Sequence, residues 1–188
     1  ADIILEDAVV PADALLGEVE GKGFEHAMRS LDNGRLSVAA ASAGYAKRAL
    51  DTALRYATER KAFGEPIANF QLIQAMLADS QAEIYAAECM IADACRLADE
   101  GVRTTIQASA AKMFASAMCG RVVDRCVQIL GGQGVTMETP VMRIFMDMRA
   151  FRIYDGPSEV HRFSMARTLV QAADKDAQAE RGVPAIIQ

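Results

Sequence analysis

The sequence has 188 residues, of which 52% are hydrophobic and five are proline, a composition typical of one ordered globular domain. Its 25 acidic residues outnumber the 20 basic ones, and the formal charge of -5 offers no general attraction to nucleic acid or to an anionic membrane surface. No apolar run reaches the roughly 18 residues needed to span a bilayer, so we expect a soluble protein of the cytoplasm, or of the mitochondrial matrix in a eukaryote.

The first 20 residues differ from the rest of the chain. Their aliphatic residues are interrupted by Pro11 and Gly17, which predicts an extended segment with turns. From Phe24 onward apolar residues recur at steps of three and four, which indicates a long helix over about 24–61 that stops at Gly64.

Two further long helices and two short ones follow. The second is expected to begin at Asn69, whose side chain can cap it, and to stop at Gly101. The third is expected from about Ile106 to the GGQG of residues 131–134, and shorter helices near 138–150 and 158–174. Long helices joined by short connections pack antiparallel. The pattern therefore predicts an all-α fold, an antiparallel four-helix bundle with one additional short helix over 21–174, preceded by the extended segment and followed by a flexible tail over 175–188.

Several kinds of site are excluded by residue spacing. His26 and His161 are the only histidines, and neither belongs to a ligand pattern that would hold a metal ion. The four cysteines, Cys89, Cys95, Cys119 and Cys126, lie in apolar helical runs without metal or disulfide spacing, so we interpret them as reduced core thiols.

Two glycine-containing motifs allow both a structural and a binding interpretation. GGQG follows a helix rather than a strand, so either Gly131 or Gly132 ends that helix in a left-handed conformation, or the backbone closely approaches a ligand. In RKAFGEPIANFQ, residues 60–71, Arg60 and Phe63 either form a solvated helix end with a buried ring or hold a pyrophosphate group beside an exposed ring.

The segment RIYDGPSEVHR, residues 152–162, reads as a turn because Asp-Gly-Pro cannot continue a helix. It also concentrates charge around Asp155. The residue is therefore either a turn former or a functional carboxylate.

These motifs together resemble the C-terminal helical domain of the acyl-CoA dehydrogenases. The resemblance covers residues 1 to about 172 and is carried by RxxFGxPIxxFQ, QILGGxG, the YDGP turn and the flanking helices, in order and at the family's spacing. It implies that residues 1–20 are the tail of a middle β-domain, and that the chain is part of a longer flavoenzyme.

The resemblance implies an FAD site at a subunit interface, with cofactor positions at Arg60, Phe63, Gln71, Gln128, Gly131, Gly132 and Glu159. Arg60, Phe63 and Gln71 match positions that face the cofactor. Arg60 and Phe63 do so at its pyrophosphate and adenine side. The next three match the surface beneath its adenosine half, on the neighbouring subunit. Pro157 replaces the Thr that usually contacts the flavin's adenine end, so we expect different cofactor contacts there, and Glu159 remains a candidate.

The same resemblance implies substrate positions at Asp32 and Arg35 in the acyl-CoA pocket, at Arg103 near the CoA nucleotide, and at the backbone of Gly156. Asp155 takes the place of the family's catalytic Glu, as in a subgroup with YDGP. Removing a weakly acidic α-proton requires a carboxylate base in a desolvated pocket. Asp is shorter by one methylene, about 1 Å, and a misplacement of that size costs about 100-fold unless the backbone compensates. Gly34 stands where some relatives carry the base instead.

Three hypotheses follow for the function. The first is an FAD-dependent acyl-CoA dehydrogenase that forms a homodimer or homotetramer and uses an unknown electron-transfer partner. The second is a flavoenzyme resembling the nitroalkane oxidases, for whose more acidic substrates a shorter base suffices. The third is that this chain alone is a non-catalytic helical oligomerisation module.

Overall fold

The computed structural model describes the backbone of residues 2–180 and the side chains within it, except those of Arg29, Asp32, Asn33 and residues 176–180. In that range the α-helices are α1 (Gly23–Glu59), α2 (Gln71–Asp99), α3 (Thr105–Leu130), α4 (Pro140–Met148) and α5 (Ser158–Glu180). The strands are β1 (Lys61–Ala62) and β2 (Glu65–Pro66), and single 3-10 turns lie at Ala12–Ala14, Ile67–Asn69, Gly131–Val135 and Arg149–Arg152. The described chain is therefore all-α apart from one small hairpin.

The core is built around the buried face of α1. One row of buried residues recurs at alternating steps of four and three, namely Ala39, Ala43, Ala46, Leu50, Ala53 and Ala57, and Val38, Ser42 and Ala49 are buried beside it. Small side chains along this seam allow the axis of α3 to approach closely. Cys119 of α3 is hydrogen-bonded with the backbone of Ala46, and burial raises the pKa of the Cys119 thiol to about 12.

Ion pairs fix the antiparallel order of the long helices. Lys47 Nζ of α1 lies 2.8 Å from Glu88 Oε1 of α2. On the other side of α2, Glu83 pairs with Arg121 and Arg125 of α3, each at 2.8 Å. Both sets join residues at similar distances from the connecting turn, as antiparallel neighbours require. The order confirms the bundle predicted from sequence.

The two remaining helices, α4 and α5, also pack on α3. The buried residues of α4 are Val141, Ile144 and Met148, and the Met148 side chain comes within van der Waals reach of Gly120 on α3. In α5, Ser158 and His161 are buried, whereas most later described positions are exposed. α5 thus packs through its first turns and reaches Glu180, beyond the 174 expected from sequence.

Two local predictions were wrong. Asn69 does not cap α2: it lies in a 3-10 turn, its side-chain amide donates to Glu65 Oε2 at 2.8 Å, and Phe70 takes the cap position. Cys119 and Cys126 are buried as expected, but Cys89 and Cys95 are exposed. Both exposed thiols lie on α2, whose partly solvated face also carries alanines and so gives no clear sequence contrast.

Among the helices within residues 2–180, none combines the length and apolar character required to cross a bilayer.

Candidate active site

The turn at Tyr154, Asp155 and Gly156 has an unusual backbone. Asp155 has a φ of 52° and Gly156 a φ of 91°, so a side-chain-bearing residue occupies the left-handed region next to a glycine. Gly156 is required there for a second reason, because a Cβ would lie 3.0 Å from His161 Nε2. Pro157 and the start of α5 at Ser158 then carry the chain away.

Two buried polar side chains hold this turn from beneath. Lys112 Nζ donates to the carbonyl oxygen of Tyr154 at 2.8 Å and to that of Gly156 at 2.6 Å. His161 Nε2 lies 3.2 Å from the carbonyl oxygen of Asp155. Lys112 is 0% exposed and His161 1% exposed. All three carbonyl groups of the turn therefore point into the protein.

The carboxylate of Asp155 lies directly against α1. A Cβ built on Gly34 would be 3.3 Å from Asp155 Oδ1, so the missing side chain of Gly34 leaves the space that the carboxylate uses. Sequence reasoning treated these two positions as alternative places for a base, and the fold brings them into contact. Asp155 itself is half-buried.

The charges around the turn influence one another. Burial, and after it the charge of Arg35, lowers the pKa of Lys112, while the carboxylates of Asp155 and Glu159 act in the opposite direction. Burial also lowers the pKa of His161, assisted by Lys112 and Arg35. Arg35, the residue after Gly34, therefore belongs electrostatically to the same cluster.

A second set of predicted site residues lies at the α1–α2 corner. β1 and β2 form a hairpin in which Lys61 pairs with Pro66, and Phe63 and Gly64 make the two-residue turn with φ values of 52° and 92°. The ring of Phe63 is 99% exposed and meets Phe70 edge-on at 6.2 Å between centroids. The interpretation of Phe63 as a buried ring is therefore wrong for this chain.

Other cofactor positions share this end of the bundle. Arg60 ends α1 and Gln71 begins α2, both exposed, while exposed Gln128 lies in the last turn of α3. Gly131 is the C-cap of α3, so a glycine ends the helix as expected, but its φ of 58° and ψ of −133° lie outside the left-handed helical conformation that was predicted. No atom of the described residues lies within 4 Å of a Cβ built on Gly131 or Gly132. The exposed glycines, ring and arginine at this end of the bundle are features that fit a large, partly planar anion such as a dinucleotide.

The two groups are far apart within one chain. Gly34, which contacts Asp155, and Glu59, which precedes Arg60, are separated by 25 residues of one helix, about 38 Å at 1.5 Å per residue. One small ligand cannot bridge that distance. A site that uses both groups must take them from two copies of the chain.

The other predicted positions are distributed as follows. Glu159 is exposed in the first turn of α5, 3.7 Å from Arg162, and lies nearer the Asp155 turn than the corner. Arg103 precedes α3, and its Nε donates to Thr105 Oγ1 at 3.3 Å. The backbone of Asp32 lies in α1, but its side chain is outside the described residues.

Sequence reasoning missed Lys112. A signal was present, because Lys112 shares an i, i+4 row with Ala108, Ser116 and Gly120 and lies beside Ala115 and Cys119 on the buried side of α3. A lysine on such a face needs a buried partner. No group of three or more potential metal ligands occurs among the described residues.

The fold and these residues define a helical domain that carries a carboxylate on an internally braced turn. Residues 21–170 match the family model described as "Acyl-CoA dehydrogenase, C-terminal domain". The chain belongs to the acyl-CoA dehydrogenase family.

Individual relatives agree with this assignment. The chain is 44% identical over 171 residues to the caffeyl-CoA reductase-Etf complex subunit CarC of Acetobacterium woodii, covering 91% of this chain and 45% of that protein. The structure of butyryl-CoA dehydrogenase from Megasphaera elsdenii is 40% identical with a TM-score of 0.78, over 81% of this chain and 40% of that one. A structure of PigA with FAD and proline is 25% identical with a TM-score of 0.77, over 80% and 39%. The chain thus spans less than half the length of these relatives.

Proposed function

We propose that this chain is the C-terminal part of an FAD-dependent acyl-CoA dehydrogenase that introduces an α,β double bond into an acyl-CoA thioester. The observation that carries the proposal is the Asp155 carboxylate, presented on a braced turn against Gly34 and beside Arg35, in a chain of this family. Such an enzyme belongs in the cytoplasm, or in the mitochondrial matrix of a eukaryote.

Asp155 is the base of the proposed reaction. Its carboxylate takes the α-proton of the thioester, and the electron pair of the broken C–H bond forms the α,β double bond as a hydride leaves the β-carbon. FAD supplies the acceptor for that hydride when it is bound. A backbone N–H beside the base, at Gly156, stabilises the negative charge that develops on the thioester oxygen.

The shorter side chain of Asp is compensated at Gly34. The Asp155 carboxylate already lies against α1, and a side chain at residue 34 would compete for that space. The φ of 52° at Asp155 brings its Cβ toward α1 in a conformation that few residues adopt. Asp adopts this left-handed region more readily than most residues, so its φ fits a turn former equally well; the glycine opposite the carboxylate is what supports a working base.

The cofactor is proposed to lie between two subunits. Arg60, Phe63 and Gln71 of one copy, with Gln128 and the two glycines of the same end, would hold the pyrophosphate and adenosine part, while the Asp155 turn and Glu159 of another copy meet the reacting part. The separation of the two groups within one chain and the 99% exposure of Phe63 support this arrangement. A homodimer or homotetramer is the simplest assembly that provides it.

The substrate is proposed to contact Arg35, Asp32 and the backbone of Gly156, with Arg103 near the CoA nucleotide. Arg35 is supported by its place in the charge cluster around Asp155. Arg103 is supported by its exposure beside the start of α3, the helix that carries Lys112 beneath the base turn.

The segment before α1 is proposed to pack on a β-domain outside this chain, which leaves 21–174 as the helical domain and 175–188 as a tail. Ile3 is 88%, Leu5 79% and Val9 96% exposed, although each is aliphatic. Exposed apolar side chains in sequence indicate a surface that another part of the protein covers.

A second candidate is the same chemistry run in reverse. The similarity to the caffeyl-CoA reductase-Etf complex subunit favours an enzyme that reduces an α,β-unsaturated thioester and exchanges electrons with an electron-transferring flavoprotein. In that direction Asp155, in its protonated form, delivers the proton to the α-carbon. The base and its geometry are common to both candidates.

The proposal is tested on the complete polypeptide with a panel of saturated and α,β-unsaturated acyl-CoA thioesters. Saturated thioesters are expected to bleach the flavin absorbance, and Asp155→Asn is expected to slow bleaching by about 10²- to 10⁴-fold with FAD retained. Bleaching by nitroalkanes but not by any acyl-CoA would favour the nitroalkane-oxidase alternative. Near-parental turnover by the FAD-loaded Asn variant would refute the role of Asp155.

A further inference from the structure

Lys112 and His161 have a function that packing alone does not explain, and the argument rests on the proposed reaction. Both side chains are buried, and their hydrogen bonds converge on the carbonyl oxygens of three consecutive residues, Tyr154, Asp155 and Gly156. Both donors bind the carbonyl side of the turn, whereas the Asp155 carboxylate lies against Gly34 of α1.

These bonds determine which way the amide groups of the turn point. In a planar trans peptide the N–H and C=O bonds point in opposite directions. The carbonyl of Tyr154 is held by Lys112 and that of Asp155 by His161, so the N–H groups of Asp155 and Gly156 point away from the buried pair. In the described part of the chain neither N–H donates to a backbone carbonyl.

Burying a lysine side chain at this position carries a large desolvation cost. Removing an ammonium group from water costs several kcal/mol, and well-packed apolar residues often replace buried ions without loss of stability. The turn that Lys112 holds is also strained, because Asp155 has a positive φ. The cost of burying this cation is explained if the turn that it holds must stay in one conformation.

We propose that Lys112 and His161 are positioning residues that hold the base turn so that the Asp155 carboxylate and two backbone N–H groups face the substrate together. The carboxylate receives the α-proton. The N–H groups of Asp155 and Gly156 then lie where charge develops on the thioester oxygen, and they need no reorganisation during the reaction.

The first test replaces Lys112 by Met in the complete polypeptide, which keeps the length of the side chain and removes its donors. We expect kcat to fall by about 10- to 100-fold, with KM and the FAD content per subunit within about twofold of the parent. Lys47→Met is the matched control: Lys47 lies on the surface in a pair with Glu88 and should leave kcat unchanged.

The second test uses His161, in case Lys112→Met does not fold. Gln can place a donor nitrogen close to the position of the imidazole Nε2, so His161→Gln is expected to keep kcat within about threefold of the parent, whereas His161→Leu loses the bond to the Asp155 carbonyl and should lower kcat by about tenfold. A merely structural role would make both variants lose activity in proportion to the loss of folded, FAD-loaded protein.

The outcome is separated from that of the proposed function by hydrogen exchange in the peptide containing residues 154–156. If the parent turns over no acyl-CoA, the proposed function fails; if Asp155→Asn keeps full turnover, the role of Asp155 as the base fails. In either case, faster exchange of this peptide in Lys112→Met still shows that the lysine holds the turn. If Asp155→Asn is inactive but Lys112→Met keeps parental kcat and exchange, the positioning role is overturned while the proposed function stands.

Discussion

Two turns, one at the α1–α2 corner and one against Gly34 of α1, have nearly equal φ values and different supports. Phe63 and Gly64 have φ values of 52° and 92°, and Asp155 and Gly156 have 52° and 91°. The first turn closes the β1–β2 hairpin, where Ala62 is paired with Glu65 and the N–H of Ile67 donates to the carbonyl oxygen of Arg60 at 2.8 Å. The second belongs to no hairpin and is held by buried side chains.

The difference shows how one backbone shape serves two purposes. At the corner the local hairpin is sufficient, and the turn projects the Phe63 ring into solvent, 99% exposed. At the base turn the support comes from Lys112 of α3, more than forty residues away in sequence, and from His161 of α5, six residues after Asp155; the projected Asp155 side chain meets Gly34 of α1. The corner turn is therefore a local device, whereas the base turn depends on the tertiary fold.

The largest expected difference comes from placing Ala at the glycine of each turn. Ala at a positive φ costs about 1–2 kcal/mol in either place. Gly156→Ala also forces a Cβ to 3.0 Å from His161 Nε2, whereas a Cβ at Gly64 meets no described atom within 4 Å. We expect Gly156→Ala to lower kcat of the complete enzyme about 100-fold, and Gly64→Ala to lower only the melting temperature. Equal losses of kcat per bound flavin would contradict the comparison.

Glycines of α1 provide the next test. Gly34→Ala adds a Cβ about 3.3 Å from Asp155 Oδ1, while Gly44→Ala adds one with no described atom within 4 Å. Each substitution should stabilise the helix by about 0.5–1 kcal/mol. Gly34→Ala alone should reduce kcat, by about tenfold, because it displaces the carboxylate. Measured together, melting temperature and kcat should move in opposite directions for Gly34→Ala; unchanged kcat would show that the contact with residue 34 is not used.

Phe63→Ala tests the local turn. Because the ring is exposed in the isolated chain, its removal should leave the melting temperature of this chain nearly unchanged. In the assembled protein it should weaken FAD binding by about tenfold, from the lost burial of an aromatic ring against the cofactor. Fluorescence titration of the apoprotein with FAD measures the effect, and an unaltered affinity would remove Phe63 from the cofactor site.

The smallest effect concerns acid stability. Burial, with the nearby charges of Lys112 and Arg35, lowers the pKa of His161 from its ordinary 6.5. Below pH 6.5 the unfolded chain binds a proton that the folded chain does not, so this histidine reduces stability as the pH falls from 6.5 to its folded pKa. The melting temperature of His161→Gln should therefore fall less between pH 7 and pH 5 than that of the parent, and an equal fall would contradict the assignment.

The sequence predicts the helices better than the contacts that hold the turns between them. The three long helices follow from apolar residues at steps of three and four, and the ends of α2 and α3 near Gly101 and Gly131 follow from backbone freedom. α1, in contrast, ends at Glu59, before the expected stop at Gly64, which lies in the hairpin turn. The hairpin in KAFGEP was not expected, since its two-residue strands are too short to show alternation. Phe70 replaced Asn69 as the cap because the Asn69 side chain had a closer partner in Glu65.

The site was predicted in part. The resemblance identified Asp155, but the contact with Gly34 and the bonds from Lys112 join positions that only the tertiary fold brings together. Periodicity places Lys112 on a buried face, but it does not identify the carbonyl groups that accept its hydrogen bonds. Sequence patterns indicate local structural preferences. They do not identify hydrogen-bond partners that lie more than forty residues apart along the chain.

Exchange of the substrate's α-hydrogen with solvent deuterium tests the central claim most directly. The measurement uses the complete, FAD-loaded polypeptide and an acyl-CoA whose β-carbon carries no hydrogen, so that proton removal is observed without hydride transfer. The account predicts exchange by the parent and at least about 100-fold slower exchange by Asp155→Asn with equal FAD content. Exchange at the parental rate in the Asn variant would show that another group removes the proton.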